Sequence, residues 1–212
     1  MEKLSDPYHI YYEENRLWEN TYWLGINIQK CPTDLLIMQE LICDIRPDLI
    51  IETGTRAGGS ALFFASICEL LDHGQVISVD KTLENVNFEA IDSFPCGERI
   101  EFILGESIDK KVIEHISSRV DGNTVMVFLD SWHSEEYVFA ELNEYRKFVT
   151  PGSLIVVEDT HINNPVKWKH EDKGPAMAVE RFLIENHNFA ADYNCEKLIF
   201  TFCPGGFLKR IY

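Results

Sequence analysis

From residue 49 onward the chain alternates between two kinds of segment. Short β-branched runs, "LIIET", "QVISVD", "RIEFIL", "TVMVFLD" and "SLIVVED", are each followed by a stretch able to form a helix. That alternation belongs to a parallel sheet whose strands are joined by crossover helices. The runs are apolar nearly throughout, as strands are when helices cover both faces. The spacing predicts a helix over 109–120, where Val112, Ile113, Ile116 and Val120 share one face. It predicts another over 134–148, with Ser134 as cap, Glu135 and Glu136 in the first turn and Arg146 and Lys147 in the last. Towards the carboxyl end, "NFAADYN" and "KLIFTFCP" read as strands with only "CE" between them, too little for a crossover, so they are expected to pair antiparallel as a hairpin.

Composition narrows the partners. The 212 residues suit one domain, and 19 basic against 35 acidic residues give a net charge of −16. A surface so negative repels phosphate backbones and anionic lipids, so neither nucleic acid nor membrane is an expected partner. The six cysteines contain no C-x-x-C and sit largely in apolar runs, which reads as reduced core thiols in a cytoplasmic protein. No apolar export segment opens the chain, and no uncharged stretch approaches the ~18 residues of a membrane span. Residues 1–45 differ in style from 46–212. Their crowded aromatics, "YHIYYEENRLWENTYWLG", read as helices packed on the sheet edge, as a subunit contact in a homo-oligomer, or as a lid over a substrate.

The first strand runs into a glycine-rich turn and a helix, "DLIIETGTRAGGSALFF". A dinucleotide fingerprint starting at Gly54 would need glycine where Arg56 stands, and Glu52 at the strand end would repel a pyrophosphate. Gly54, Gly58 and Gly59 nevertheless allow a tight turn and close approach of a ligand, with Thr55 and Ser60 on the same turn. Glu52 could attract the ammonium of an amino-acid moiety or orient the loop. Asp80, ending the second strand, is placed to accept from both hydroxyls of a ribose, and Ser107 in "GES" could border an adenine. Together these residues suit an adenosyl group joined to a cationic amino acid, as in S-adenosylmethionine, better than any diphosphate.

The fourth strand ends "FLDSWH" and the fifth "VVEDTH", so Asp130, Glu158 and Asp159 should converge. Three carboxylates in one crevice repel each other unless a cation sits among them, and oxygen ligands suit Mg²⁺ or a similar hard divalent ion. His133, three residues after Asp130, is a candidate general base, with His161 its weaker rival. The loop "NNPVKWKHEDKGP" is expected to cover the acceptor. No lysine lies in either strand-end motif to act as base instead. A two-histidine, one-carboxylate iron site built on His133 and His161 is an alternative, as is a cofactor-binding subunit without catalysis.

"IIETGTRAGGSALFFASICELL", "VMVFLDSWHSEEYVFAEL", "SLIVVEDT", "KGPAMAVERFL" and "TFCPGGFLKRI" together resemble the cephalosporin hydroxylase family, a branch of the S-adenosylmethionine-dependent O-methyltransferases. The resemblance runs from about residue 20 almost to the end. It implies a Rossmann-like α/β fold with a mostly parallel seven-stranded sheet, and metal ligands at Asp130, Glu158 and Asp159. Sugar O-methyltransferases of similar design carry a catalytic histidine at the position of His133. One departure is Tyr137, where relatives often have a second histidine. The resemblance implies Mg²⁺-dependent methyl transfer to one of two neighbouring hydroxyls of a sugar or glycoside, in surface-polysaccharide or natural-product synthesis, with Asp130 and His133 as the catalytic pair.

Overall fold

A computed structural model describes residues 6–162 and 173–212. The 163–172 stretch, most of the expected acceptor loop, lies outside the described residues. The amino-terminal region holds α1 (Asp6–Glu14), a 3₁₀ turn (Leu17–Asn20), a two-stranded antiparallel ribbon of β1 (Tyr22–Trp23) and β2 (Ile26–Asn27), and α2 (Pro32–Ile45). Proline at the first position of α2 forfeits no helical hydrogen bond, and Arg46, left-handed at φ 51°, ends the helix.

The alternation read from the sequence then follows: β3 (Leu49–Thr53), α3 (Gly59–Leu70), β4 (Gln75–Asp80), α4 (Phe88–Asp92), β5 (Ile100–Leu104), α5 (Lys110–Ser117), β6 (Val125–Leu129), α6 (Glu135–Tyr145), β7 (Leu154–Val157) and α7 (Pro175–Glu185). β8 (Phe189–Ala191) and β9 (Phe207–Arg210) close the sheet, whose order is β5-β4-β3-β6-β7-β9-β8. β3 to β7 pair in parallel, and β9 is antiparallel to both β7 and β8. The fold is the expected Rossmann-like one. Ser134 caps α6 by accepting from the Tyr137 amide, while Arg146 and Lys147 fall just beyond the last helical residue.

Successive strand residues point to opposite faces and divide the core in two. Ile50, Val76, Met126, Phe128 and Val156 join α2 and α3 in one cluster, where Phe128 stacks on Phe64 with ring centroids 4.3 Å apart. Ile51, Ile77, Val127, Leu129, Ile155 and Val157 join α5, α6 and α7 in the other. Each fully buried side chain of this kind contributes roughly 1.5–3 kcal/mol.

The antiparallel pair is present, but its return strand is Phe207–Arg210 and not "KLIFTFCP". Residues 197–204 have other partners. Phe202 packs with Tyr12 and Cys31, and its amide donates to the buried Asp34 carboxylate at 2.8 Å. Pro204 has no N–H for a ladder, and Gly205 turns the chain at φ 72° before pairing begins. All six cysteines are free, five of them buried. Among the described residues, no helix is long and apolar enough to cross a membrane.

Candidate active site

From β3 the chain runs outward through β4 and β5, then returns to place β6 on the other side of β3. A crevice opens at such a switch point beyond the carboxyl ends of the strands. Here it is a cavity of about 640 Å³, and its walls include Gly54, Thr55, Gly59, Ser60, Asp80, Ser107, Asp130, His133 and Asp159. Of the site residues expected from the sequence, Glu52, Gly58 and Glu158 do not line it.

Each residue of the glycine-rich turn has a distinct local reason. Gly54, at φ 91°, passes so close to the end of β6 that a Cβ would stand 1.9 Å from the Asp130 carbonyl oxygen. Gly58, at φ 85°, is the cap that precedes α3, and its missing Cβ leaves room for Ile91. A Cβ on Gly59 would stand 2.3 Å from the Asn27 carbonyl oxygen, so this glycine seats the amino-terminal region as well as bordering the cavity. Glu52 lies beneath the loop and orients it. The Ser78 hydroxyl donates to Glu52 at 2.6 Å, which leaves Ser78 to accept from the Thr55 hydroxyl at 2.7 Å. Burial pushes the Glu52 carboxyl up to about 7 against the opposing pull of Lys30.

Asp80 is held on both oxygens, by the Arg56 amide at 2.9 Å and the Thr82 amide at 3.1 Å. A carboxylate has about four acceptor sites, so lone pairs remain for a ligand's hydroxyls. Ser107 donates to Glu141 at 2.6 Å, while its carbonyl accepts from the Tyr145 hydroxyl at 2.8 Å. Glu141, buried on α6, also accepts from Ser131 at 2.7 Å and so ties the ends of β5 and β6 together. Tyr137 donates to Glu106 at 2.9 Å on the same wall.

The acids of the rim separate into two groups joined by Asp130. By strand parity Glu52, Asp130 and Glu158 follow the face that carries Ile50, Phe128 and Val156. There they meet Lys30, 3% exposed, whose ammonium pairs with Asp130 Oδ2 and lies 2.9 Å from Glu158 Oε1. Burial alone would lower the Lys30 pKa, but Asp130, Glu158 and Glu52 raise it well above the ordinary value. It is an ammonium, not a base. Burial and the Asp130 charge push Glu158 up against the attraction of Lys30.

On the cavity side, His133 Nε2 lies 3.3 Å from Asp130 Oδ1 and 3.4 Å from Asp159 Oδ2. Asp130, His133 and Asp159 each offer a ligating atom within 4.8 Å of the others. Asp159 is left-handed at φ 57°, a conformation an aspartate tolerates and that functional sites often hold. Burial would lower the His133 pKa, but Asp159 and Asp130 outweigh it and bring it up to about 9.

His161, whose Nδ1 lies 3.8 Å from Asp159 Oδ1, borders this group but is held from its far side. Its Nδ1 donates to the Phe202 carbonyl at 3.0 Å, its Nε2 lies 3.1 Å from Glu13 Oε1, and its ring stacks on Phe202. Among the described residues, the ligating atoms that gather closely are those of Asp130, His133 and Asp159, and His161 is not among them, so the structure does not assemble both histidines with one carboxylate as an iron site would need. Three residues escaped the sequence reading. Lys30 stands in "INIQKCP", remote from every strand-end motif, and only the need of converging carboxylates for a cation hints at it. Glu13 carries no sequence signal, although with Trp18 and Gln29 it makes the amino-terminal region a wall of the cavity. Glu141 was hidden among the acids of α6.

The chain is similar to known proteins in sequence and in fold. The rhamnosyl O-methyltransferase of Mycobacterium leprae is 33% identical over 219 residues, which cover 99% of this chain and 91% of that protein. That of Mycobacterium tuberculosis is 34% identical over 98% of this chain and 85% of its own length. Among solved structures, CmcI with magnesium and S-adenosylmethionine superposes with a TM-score of 0.71 over 92% of this chain and 78% of that one, at 18% identity. An O-methyltransferase from Bacillus cereus in complex with SAH gives 0.63 over 91% and 84%, at 15% identity. Residues 15–211 match the family described as Rhamnosyl O-methyltransferase/CmcI, and the chain belongs to that family.

Proposed function

We propose that the chain transfers the methyl group of S-adenosylmethionine to a hydroxyl of a sugar, a rhamnosyl group or a similar unit of a glycoside, with the help of a divalent ion such as Mg²⁺. The observation that carries this reading is the convergence of Asp130, His133 and Asp159 on the floor of the cavity that also reaches Asp80 and Ser107. Two carboxylates beside open space fit a hard cation that keeps part of its water. Asp130 and Asp159 would hold it. When bound, the ion draws electron density from neighbouring acceptor oxygens and lowers the pKa of the hydroxyl to be methylated.

The chain's own residues do the rest. Asp80 binds the ribose hydroxyls, and Ser107 borders the adenine. The Thr55–Ser78–Glu52 chain fixes the turn that faces the cofactor's amino-acid end. His133 in its neutral form accepts the proton of the acceptor hydroxyl at Nε2 as the oxygen takes the methyl group and the sulfonium becomes a neutral thioether. With a cation held by Asp130 and Asp159, the imidazolium of His133 would be disfavoured, and the neutral ring would be available as a base. Glu13, Trp18 and Gln29 wall the part of the cavity left for the acceptor.

The test is methyl transfer from labelled S-adenosylmethionine to rhamnosyl and other glycosides, with and without chelator. The expected result is label on a sugar oxygen, loss of transfer on chelation and recovery with Mg²⁺. Full activity after exhaustive chelation removes the metal, and absence of transfer to every glycoside removes the sugar.

A further inference from the structure

We infer, on the sugar reading above, that Glu13 is a specificity-determining residue of the acceptor site, and that its carboxylate accepts a hydrogen bond from a sugar hydroxyl that is not itself methylated. Glu13 stands near the end of α1, lines the cavity and keeps its side chain 25% exposed. Its orientation is fixed from behind. Oε1 faces His161 Nε2 at 3.1 Å, and the His161 ring is pinned in turn by the Phe202 carbonyl at Nδ1 and by stacking on the Phe202 ring. A carboxylate has about four acceptor sites, so this contact leaves capacity for a ligand.

The spacing to the reacting rim suits a sugar. A single imidazole ring separates Glu13 from Asp159, with Nε2 3.1 Å from Glu13 Oε1 and Nδ1 3.8 Å from Asp159 Oδ1. Asp159 Oδ2 lies 3.4 Å from His133 Nε2, the proposed base. A pyranose is a ring of similar reach with hydroxyls along its edge, so one that presents an oxygen at Asp159 and His133 can present another at Glu13. The adjoining wall has matching chemistry. Trp18 supplies aromatic surface, and Asn27 and Gln29 supply amides. Asn27 is held in place by donating to the Glu19 carbonyl at 2.7 Å. Gln29 is left-handed at φ 52°, a strained conformation for such a residue, and strain of this kind gathers where ligands are clamped. A site that hydrogen-bonds a substrate hydroxyl discriminates against an analogue without it, because the protein group is then left unpaired.

The test measures methyl transfer to a methyl rhamnoside, or to the glycoside that the parent methylates best, and to its monodeoxy analogues. The proteins compared are the parent, Glu13→Gln and Glu13→Ala, with S-adenosylmethionine affinity measured separately by calorimetry. In the parent, one analogue that retains the methylated hydroxyl and its neighbour should lose about 10–100-fold in kcat/KM, as when one hydrogen bond to a charged group is lost. Glu13→Ala should lose a similar factor on the full glycoside, bind S-adenosylmethionine within about twofold of the parent and no longer distinguish the two acceptors. Glu13→Gln keeps one carbonyl acceptor and should fall between them. A Glu13→Ala protein with parental kcat/KM overturns the inference, as does one that discriminates as the parent does or that loses S-adenosylmethionine affinity in the same proportion. If Glu13→Ala does not fold, discrimination is read on Glu13→Gln: a narrowed ratio supports the inference and an unchanged one overturns it. If the parent methylates no glycoside, the sugar reading fails and the role of Glu13 falls with it.

Discussion

Gly54 and Asp130 touch through their backbones: a Cβ on Gly54 would lie 1.9 Å from the Asp130 carbonyl oxygen. The cofactor turn after β3 and the acid after β6 are therefore set against each other with no side chain between them. Gly54→Ala should add strain of about 1–3 kcal/mol for a non-glycine residue at positive φ, and the clash adds to it. Urea unfolding should show a loss of at least about 2 kcal/mol. A variant as stable as the parent would mean that the two strand ends can separate freely.

Asp80→Ala should weaken S-adenosylmethionine binding by roughly 10–100-fold, as expected when a carboxylate acceptor worth about 1.5–3 kcal/mol is lost. The substitution also frees the Arg56 and Thr82 amides, so Asp80→Asn is the gentler companion. Calorimetry on both folded variants measures the effect. Unchanged affinity in each would remove Asp80 from the cofactor site.

Replacing the two histidines should have different consequences. His133→Ala should leave S-adenosylmethionine affinity near that of the parent and lower turnover by about 10²–10⁴-fold. His161→Ala removes a buried ring that links Glu13 to Phe202, and should cost about 2–3 kcal/mol of stability. Parallel turnover and denaturation measurements distinguish them. If His133→Ala keeps full turnover, the base lies elsewhere on the rim.

Asp34 gives the fold a defined pH response. Burial pushes its carboxyl from 3.8 up to about 6, against the hydrogen bonds it accepts from Thr201, Phe202 and Cys203. A raised carboxyl favours the protonated folded state, so the contribution is fully present below about pH 4 and is lost as pH rises through about 6. Asp34→Asn keeps an acceptor for the Phe202 amide but does not ionise. The stability difference between variant and parent should shift in the variant's favour across that window and then level off, as read by denaturation at several pH values. A constant difference would place Asp34 at its ordinary value.

The parallel strands were legible because each is a β-branched run long enough to mark itself, and their carboxyl ends then locate the crevice by topology alone. The return strand was misread because "LIFTF" has the composition of a strand, while the backbone there is held by Asp34, a residue 168 positions away. No local pattern carries such a contact. The acids of the rim were found because they end strands, yet their division into two groups was not. It depends on Lys30, which arrives from the short connection between β2 and α2, a segment with no motif of its own. Gly59 was read as making way for a ligand, and it also makes way for Asn27.

Glu158 and Asp159 are neighbours in sequence but serve different surroundings, one facing a buried lysine and the other an open cavity. The alternation of the chain points them to opposite sides, and the register of β7 decides which side each takes: the Val157 amide donates to the Gly206 carbonyl at 2.8 Å and the Glu158 amide to the Leu129 carbonyl at 3.0 Å. A slip of one residue would turn each carboxylate towards the wrong side of the sheet. The strand β9, which lies between β7 and β8 and away from the cavity, thus acts as the alignment gauge for the acid pair, and an insertion there would silence the site without altering a single residue inside it.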